Sequence, residues 1–496
     1  MSTQPTINNM NRRTFLKSSM LTAAAASAWP LLSGCQTQGR VRSAQVRGAN
    51  EDIRVAVVGF NGRGGSHISG FRALKGVRLV ALCDVDQTVL DKGVNKLKDA
   101  GEQVQGYQDV RKLLENEDID AISIATPNHW HSLATIWAVQ AGKDVYVEKP
   151  LSHNVTEGRR VVQAARKYGR MVQTGSQCRS SRGLIEAIAW LRAGNHGKII
   201  RARGLCYKRR ASIGKADKPL EIPPTIDYDL WCGPAPKVPL MRKRLHYDWH
   251  WVWPTGNGDL GNQGVHQVDI ARWVLGERTI APVAFSIGGR LGYEDDGTTP
   301  NTQIIYQGYA RAPLLFEVRG LPSSSENNKM DNYHGASIGV VIDCEGGRVV
   351  IPSYSKAIVY DKEDKQIRQF DGGGDHFENF INAVRSRKHT DLAADAEDGH
   401  LSAALCHTAN VSYRLGKKMS PDEIREAIRN NGDMAEAFGR MEEHLAANNV
   451  DLMKTPAALG EVLRFDVNAE RCTSNRKVNK WLTRNYRRPF VVPNKV

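Results

Sequence analysis

The sequence predicts an α/β fold built on a parallel sheet of the dinucleotide-binding kind, and three observations carry that prediction. A β-branched apolar run, Ile53 to Val58, passes straight into a glycine-rich turn; an aspartate closes the next apolar run about 20 residues past the last of those glycines; and further buried-strand patterns end on polar residues. In open α/β sheets, ligands bind beyond such strand ends.

In "IRVAVVGFNGRGGSHISGF" the strand should give way to a helix at Gly59, Gly62 and Gly64. The N-terminus of that helix presents unpaired backbone N–H groups to a phosphate. The ordinary pattern is G-x-G-x-x-G, and here Asn61 stands at the middle glycine, with Gly62 and Arg63 completing the turn. Asparagine tolerates a left-handed backbone better than most residues, so the turn is expected to survive.

"VRLVALCDVD" forms the second strand and ends at Asp84. A carboxylate there accepts hydrogen bonds from an adenosine ribose and repels a 2′-phosphate, which favours NAD and makes NADP less likely. The competing reading is a turn aspartate with no ligand. "IDAISIATPNHWHS" supplies a strand over Ala121 to Ala125, followed by Thr126 and a turn at Pro127-Asn128, with His131 just beyond; "DVYVEKPLS" supplies another strand, ending at Glu148-Lys149-Pro150. We take Gly59, Asn61, Gly62, Arg63, Gly64, Asp84, Thr126, Pro127, Asn128, His131 and Glu148 as the candidate cofactor-binding residues.

The chain opens differently. Arg12 and Arg13, followed by Phe15, Leu16 and Lys17, form a basic head, and Ser18 to Gly34 carry no charge. That layout resembles a twin-arginine export signal, and Leu32-Ser33-Gly34-Cys35 resembles a lipobox whose cysteine is lipidated. An ordinary cleaved signal with an incidental cysteine is the competing reading. The expected location is periplasmic or cell-envelope, with membrane contact only through the lipid. Residues 36–51 read as a tether.

Composition agrees with a folded body of two or three domains, with 41% hydrophobic residues. Eight cysteines without a C-x-x-C pair indicate neither a disulfide scaffold nor a zinc knuckle. The net charge of +15 reads as solvated surface, with an anionic substrate as the competing reading, since nucleic acid is an odd partner for an exported chain.

With these motifs in view, the chain resembles the Gfo/Idh/MocA family of glucose-fructose oxidoreductase and inositol dehydrogenase. The likeness runs through the glycine turn, Asp84, "ATPNHWHS", "EKP", "GNGDLGNQGVHQVDIARWVLG" and "HFENFINAVRSRK". It implies an N-terminal Rossmann domain, a C-terminal α+β domain with an open, mainly antiparallel sheet that often mediates oligomers, and nicotinamide-dependent oxidation of a sugar or polyol. We place the Rossmann domain at 52–178, the α+β substrate and oligomerisation domain at 179–418 and a C-terminal extension at 419–496. A homo-oligomer is expected.

The resemblance also implies roles. Lys149 lies beside nicotinamide and substrate hydroxyl and stabilises developing negative charge, with Glu148 positioning it. His266 is the candidate general base. Asn262 stands where the family usually has aspartate, so the amide can hold substrate but cannot accept a proton, and His266 carries more of the transfer. If the helix already includes Asn262, the two side chains share a face. Asp269, Arg272 and Trp273 read as scaffold.

In "RLHYDWHWVWPTGNGDL", His246, Asp248 and His250 alternate and would share one face of a strand, where a metal is conceivable; our expectation is no metal. Tyr247, Trp249, Trp251 and Trp253 offer flat surfaces for a sugar ring, although alternation sends some of them into the core. Arg179, Tyr207 and Trp251 are the candidate substrate-binding residues. Polar loops at Gly297 to Asn301 and in "LPSSSENNKMDNYHG" are candidate specificity loops.

Three functions remain open on the sequence. The first is an exported oxidoreductase on a carbohydrate hydroxyl with tightly held NAD, because an exported enzyme has no soluble NAD pool. The others are a redox-neutral NAD-dependent glycoside hydrolase and a noncatalytic sugar-binding lipoprotein.

Overall fold

The computed structural model describes residues 52–496; the expected signal, the expected lipobox with Cys35 and the expected tether at 36–51 lie outside the described residues. The described chain begins with strands β1 (Ile53–Val58), β2 (Val77–Cys83), β3 (Gln105–Tyr107), β4 (Ala121–Ile124), β5 (Asp144–Val147) and β6 (Val172–Thr174). They form one parallel sheet in the order β3-β2-β1-β4-β5-β6. All four residues of β4 and of β5 are buried, as expected of strands covered on both faces. The covering helices include α1 (Gly64–Arg72), α2 (Gln87–Asp99), α3 (Val110–Leu114), α4 (Asn128–Gln140) and α5 (Val155–Tyr168). Strand order reverses between β1 and β4, so the ends of these two strands, with their following turns, open a crevice.

The second sheet contains β7 (Ile199–Tyr207), β8 (Val283–Gly289), β9 (Thr302–Gly308), β10 (Leu314–Arg319), β11 (Ile338–Cys344), β12 (Gly347–Ile351), β13 (Lys356–Tyr360) and β14 (Gln366–Asp371). It is mixed and mostly antiparallel; the β7–β10 pair is parallel. Helices α6 (Arg182–Arg192), α7 (Tyr228–Cys232), α8 (Val265–Leu275), α9 (His376–Ser386) and α10 (Ala396–Arg414) follow in chain order. α6, α8 and α10 share the inner core with this sheet. α10 is buried over most of its length, and its Ala396 joins the core of the first domain. α9 returns to that domain as well, where Phe380, Ile381 and Val384 pack on Val55, Phe71 and Tyr146.

The C-terminal region adds α11 (Pro421–Ile428) and α12 (Gly432–Ala447). Their apolar stripe, including Ile424, Met434, Phe438 and Met441, covers the outer face of β8 and β9 through Phe285, Ile287 and Ile304. Beside it, Met330 and Tyr333 cover Leu205, Val341 and Val350. This outer face of the sheet is therefore lined by the chain's own residues. The seven cysteines of the described residues are all buried free thiols.

Candidate active site

A cavity of about 830 Å³ lies at the carboxyl ends of β1, β2, β4 and β5 and extends to α8. It collects the glycine turn, Asp84, the Thr126-Pro127-Asn128 turn, His131, Glu148, Lys149, Asn262 and His266. Residues scattered over more than 200 positions thus meet in one space.

Gly59 takes a left-handed backbone with φ of 77°, and a Cβ there would come within 2.9 Å of the Thr126 nitrogen. No other residue type fits without displacing the neighbouring turn. Gly64 sits so close to Gly59 that a Cβ would lie 2.0 Å from the Gly59 carbonyl, which explains its place at the start of α1; it packs the turn rather than lining the cavity. Gly62 faces open space. Asn61 does not adopt the left-handed backbone anticipated for it: Gly59 is the left-handed residue of this turn, so asparagine costs nothing at position 61. Arg63 caps α1 without a side-chain capping bond, and its side chain instead donates to Glu148 Oε1 at 2.9 Å. The first turn of α1 thus opens toward the cavity, the arrangement that binds a phosphate.

Asp84 is buried, and its two carboxylate oxygens accept the N–H groups of Phe60 and Asp86, each at 3.1 Å. Burial pushes its carboxyl pKa up while those two bonds oppose the rise. Thr126 Oγ1, in the wall opposite the glycine turn, is buried without a hydrogen-bond partner. Gly59, the open N-terminus of α1, Asp84 and this orphaned hydroxyl together fit a dinucleotide.

Glu148 is held by three side chains. Its Oε1 accepts from Arg63, from His67 Nε2 at 3.1 Å and from Gln177 Nε2 at 3.0 Å, while Oε2 accepts the Lys149 N–H at 3.2 Å. Burial opposes ionisation, but the His67, Arg63 and Lys149 partners outweigh it and hold the carboxyl well below its ordinary pKa. Glu148 is thus an anchored anion one residue before Lys149. His67, completely buried on α1, also contacts Ser123 Oγ at 2.7 Å. Neither His67 nor Gln177 is legible as part of the site from sequence, because only the fold brings α1 and residue 177 against the end of β5.

Lys149 Nζ donates to the main-chain carbonyl of Asn262 at 2.9 Å and lies 3.5 Å from its Oδ1. Asn262 belongs to a π-helical turn, Leu260–Gly264, that precedes α8. Asn262 and His266 are therefore not one regular α-turn apart as anticipated; wider turns of this kind recur at functional sites. Burial lowers the Lys149 pKa against the pull of Glu148. His266 is 5% exposed, and its Nδ1 is buried without a partner. Burial first and Lys149 second push its pKa well below the ordinary value, so the imidazole is neutral at neutral pH. Tyr354 stands beside it, ring centroids 4.9 Å apart, and accepts a hydrogen bond from Gln263 Nε2 at 2.7 Å.

His131 lies between the turns that carry the site, its Nδ1 2.6 Å from the Pro150 carbonyl and its Nε2 2.8 Å from the Thr126 carbonyl, and as a neutral ring it donates to one of the two. Asn128 donates to Asn257 Oδ1 at 3.1 Å at the start of α4.

The three candidate substrate residues lie elsewhere. Arg179 is 6% exposed and makes a two-pronged ion pair with Asp269, at 2.7 and 2.8 Å, and a third contact with Asp398. It pins α8 from behind, and Asp269 and Arg272 share that network. Tyr207 follows Cys206 on β7, and strand alternation turns it away from α8 onto the outer face, where its hydroxyl bonds to Glu317 at 2.6 Å. Trp251 is buried beneath the Arg210 guanidinium. In place of these three, Tyr247, Trp249, His250 and Trp231 line the cavity.

Asp248–Trp251 is a 3-10 turn, not a strand, so the alternation read for His246, Asp248 and His250 fails. Each has its own partner: His246 with Asp86 at 3.0 Å, Asp248 with Arg244, and His250 Nδ1 with the Tyr247 carbonyl at 2.6 Å. Among the described residues, no three His, Cys, Asp or Glu side chains form a metal-binding group.

Residues 53–176 match the NAD-binding Rossmann fold of the Gfo/Idh/MocA oxidoreductases, and residues 196–439 match the C-terminal alpha/beta domain of the same family. The chain is 30% identical over 167 residues to Glycosyl hydrolase family 109 protein 2 of Shewanella sp. (strain ANA-3), covering 30% of this chain and 36% of that protein. It is 29% identical over 211 residues to an alpha-N-acetylgalactosaminidase of Shewanella oneidensis, covering 39% and 45%. These matches span less than half of those relatives' length. The WlbA dehydrogenase of Bordetella pertussis, solved with NADH and UDP-GlcNAcA, shares the fold at 19% identity, with 73% of this chain and 96% of that one covered and a TM-score of 0.54. An oxidoreductase domain protein from Kribbella flavida aligns similarly, at 19% identity over 72% and 96% of the two chains with a TM-score of 0.55. With both domains matched over most of the described residues and an NAD-binding crevice at their meeting point, the chain belongs to the Gfo/Idh/MocA oxidoreductase family.

Proposed function

We propose that this protein oxidises a hydroxyl of a sugar or glycoside, with Lys149 and His266 as the catalytic pair. The observation that carries the reading is the convergence of the Lys149 ammonium and the neutral His266 imidazole in the cavity that also holds the glycine turn. NAD, when bound, supplies the hydride acceptor. Lys149, anchored through Glu148 and the Asn262 carbonyl, stabilises negative charge on the substrate oxygen. His266, in the cavity wall, accepts the hydroxyl proton, since a neutral imidazole is a base. Tyr247 and His250 offer the flat surfaces that suit the C–H face of a sugar ring.

A second reading is a redox-neutral glycoside hydrolase using the same residues. It is favoured by the likeness to family 109 glycosyl hydrolases and to an alpha-N-acetylgalactosaminidase. Bound nucleotide, released by denaturation and identified by mass spectrometry before and after exposure to a glycoside panel, separates the two. NAD converted to NADH supports the oxidoreductase; free sugar with NAD unchanged moves the assignment to the hydrolase. For the N-terminal region we propose twin-arginine export and lipidation of Cys35, tested by the mass of the mature N-terminus.

A further inference from the structure

Beyond the glycine turn, the cavity wall near Asp84 is closed by residues from the second half of the chain. Leu230, Trp231, His246 and Trp249 line it, facing Asp84 and Trp130. Asp84 marks the adenosine half of such a site, because the acidic residue at the end of the second strand meets the ribose.

These residues belong to one segment fastened at both rims of the crevice. On the β2 side, the Gln87 N–H donates to the Thr225 carbonyl at 2.9 Å, Asp227 N–H donates to Val85 at 3.2 Å, and His246 lies 3.0 Å from Asp86. On the α4 side, Trp130 Nε1 donates to the Leu230 carbonyl at 3.0 Å, and His129 Nε2 lies 2.9 Å from the Trp231 carbonyl. Gly233, which ends α7, rests directly on the Trp130 indole: a Cβ there would lie 2.3 Å from a ring carbon, and φ is 48°. The approach is possible only for glycine.

The C-terminal tail locks this segment from outside. Arg487 donates to the Asp229 carboxylate at 2.8 Å and to its carbonyl at 2.6 Å, while Arg484 reaches the carbonyls of Pro254 and Pro234. Phe490 is 1% exposed and packs edge-on against Trp130, centroids 5.5 Å apart. Trp130 is thus held between the tail and the segment it supports.

We infer that residues 225–249 form a fixed roof over the adenosine half of the dinucleotide site, clamped by residues 484–492, so that NAD stays bound from one turnover to the next. Release requires the rim hydrogen bonds to break together and Trp130 to lose its packing, which makes dissociation slow rather than binding strong through added phosphate contacts. The inference rests on NAD binding alone and not on the substrate proposed above.

The test uses the full chain loaded with NAD, repeatedly desalted into nucleotide-free buffer, then denatured for quantification of the nucleotide that remains. Wild type should keep its NAD. Gly233→Ala, which lifts the roof off Trp130, and Arg487→Ala, which frees the tail at the protein surface, should each release it at least about tenfold faster, the factor that about 1.4 kcal/mol represents. ADP, which carries only adenosine and the two phosphates, should show the same acceleration. If Gly233→Ala does not fold, Arg487→Ala, checked for an unchanged circular dichroism spectrum, decides alone. Wild type emptied by a single desalting, or Arg487→Ala releasing at the wild-type rate, overturns the inference.

Discussion

Lys149 Nζ donates at 2.9 Å to the backbone carbonyl of Asn262, so the end of a Rossmann strand is joined to the start of a helix in the second domain by one hydrogen bond. The lysine's principal partner is the main chain; the amide side chain is the more distant contact at 3.5 Å.

Replacing Asn262 therefore tests less than its position suggests. Asn262→Ala keeps the carbonyl partner, and kcat should fall by less than about tenfold, the scale of one hydrogen bond. Lys149→Ala removes the charge itself and should lower kcat by about a hundred- to a thousandfold while bound NAD is retained. Steady-state kinetics on the substrate identified by the panel checks both. Equal losses in the two variants would place the asparagine amide in the chemistry.

His266 should remain neutral well below its ordinary value of 6.5, because burial and the Lys149 charge both disfavour the imidazolium. Labelled-histidine NMR across a pH series reads this directly. In Lys149→Met the second of those causes is gone, and the titration should move up toward the ordinary value without reaching it, since burial persists. An unmoved titration would show that Lys149 does not act on His266.

Glu148 gives a pH dependence of stability. Its folded-state pKa is lowered from 4.5, so its contribution is complete above about that pH and is lost as the pH falls through the folded value. Glu148→Gln should melt lower than wild type at neutral pH, and the two melting curves should converge in acid below pH 4.5. A difference that persists unchanged into acid would locate its origin in packing.

Arg179→Ala should cost stability, not substrate affinity. It leaves Asp269, which is 1% exposed, without its closest cation, and breaking a buried pair of this kind costs about 3 to 5 kcal/mol. Urea denaturation measures the loss. The KM of the folded fraction should stay at the wild-type value; a raised KM with unchanged stability would return Arg179 to the substrate site.

Gly59, Asp84, the 126–128 turn, Glu148 and Lys149 were legible because each sits at the end of an apolar run, and the ends of neighbouring parallel strands converge wherever the sheet's order reverses. His266 was legible through resemblance, and the structure places it in the cavity wall beside Tyr354. Tyr207 was misplaced because a strand's alternation says which residues share a face and not which face meets the site. Arg179 was misplaced because an arginine in sequence does not show whether its carboxylate partner is a substrate or Asp269. The His246 to His250 stretch misled because a period of two also occurs in a 3-10 turn, where it does not put side chains on one face.

The sequence by itself determined the nucleotide fold and the preference for NAD, since these depend on local rules: strand into glycine turn, aspartate at a strand end, polar residues after an apolar run. Only the tertiary structure decided that His67, Arg63 and Gln177 fix Glu148, that Lys149 bonds a backbone carbonyl, and that residues 225–249 with the C-terminal tail close over the adenosine half of the site. These are contacts between residues far apart in the chain, and they exist because two sheets and the helices around them have packed, a result that no local pattern encodes.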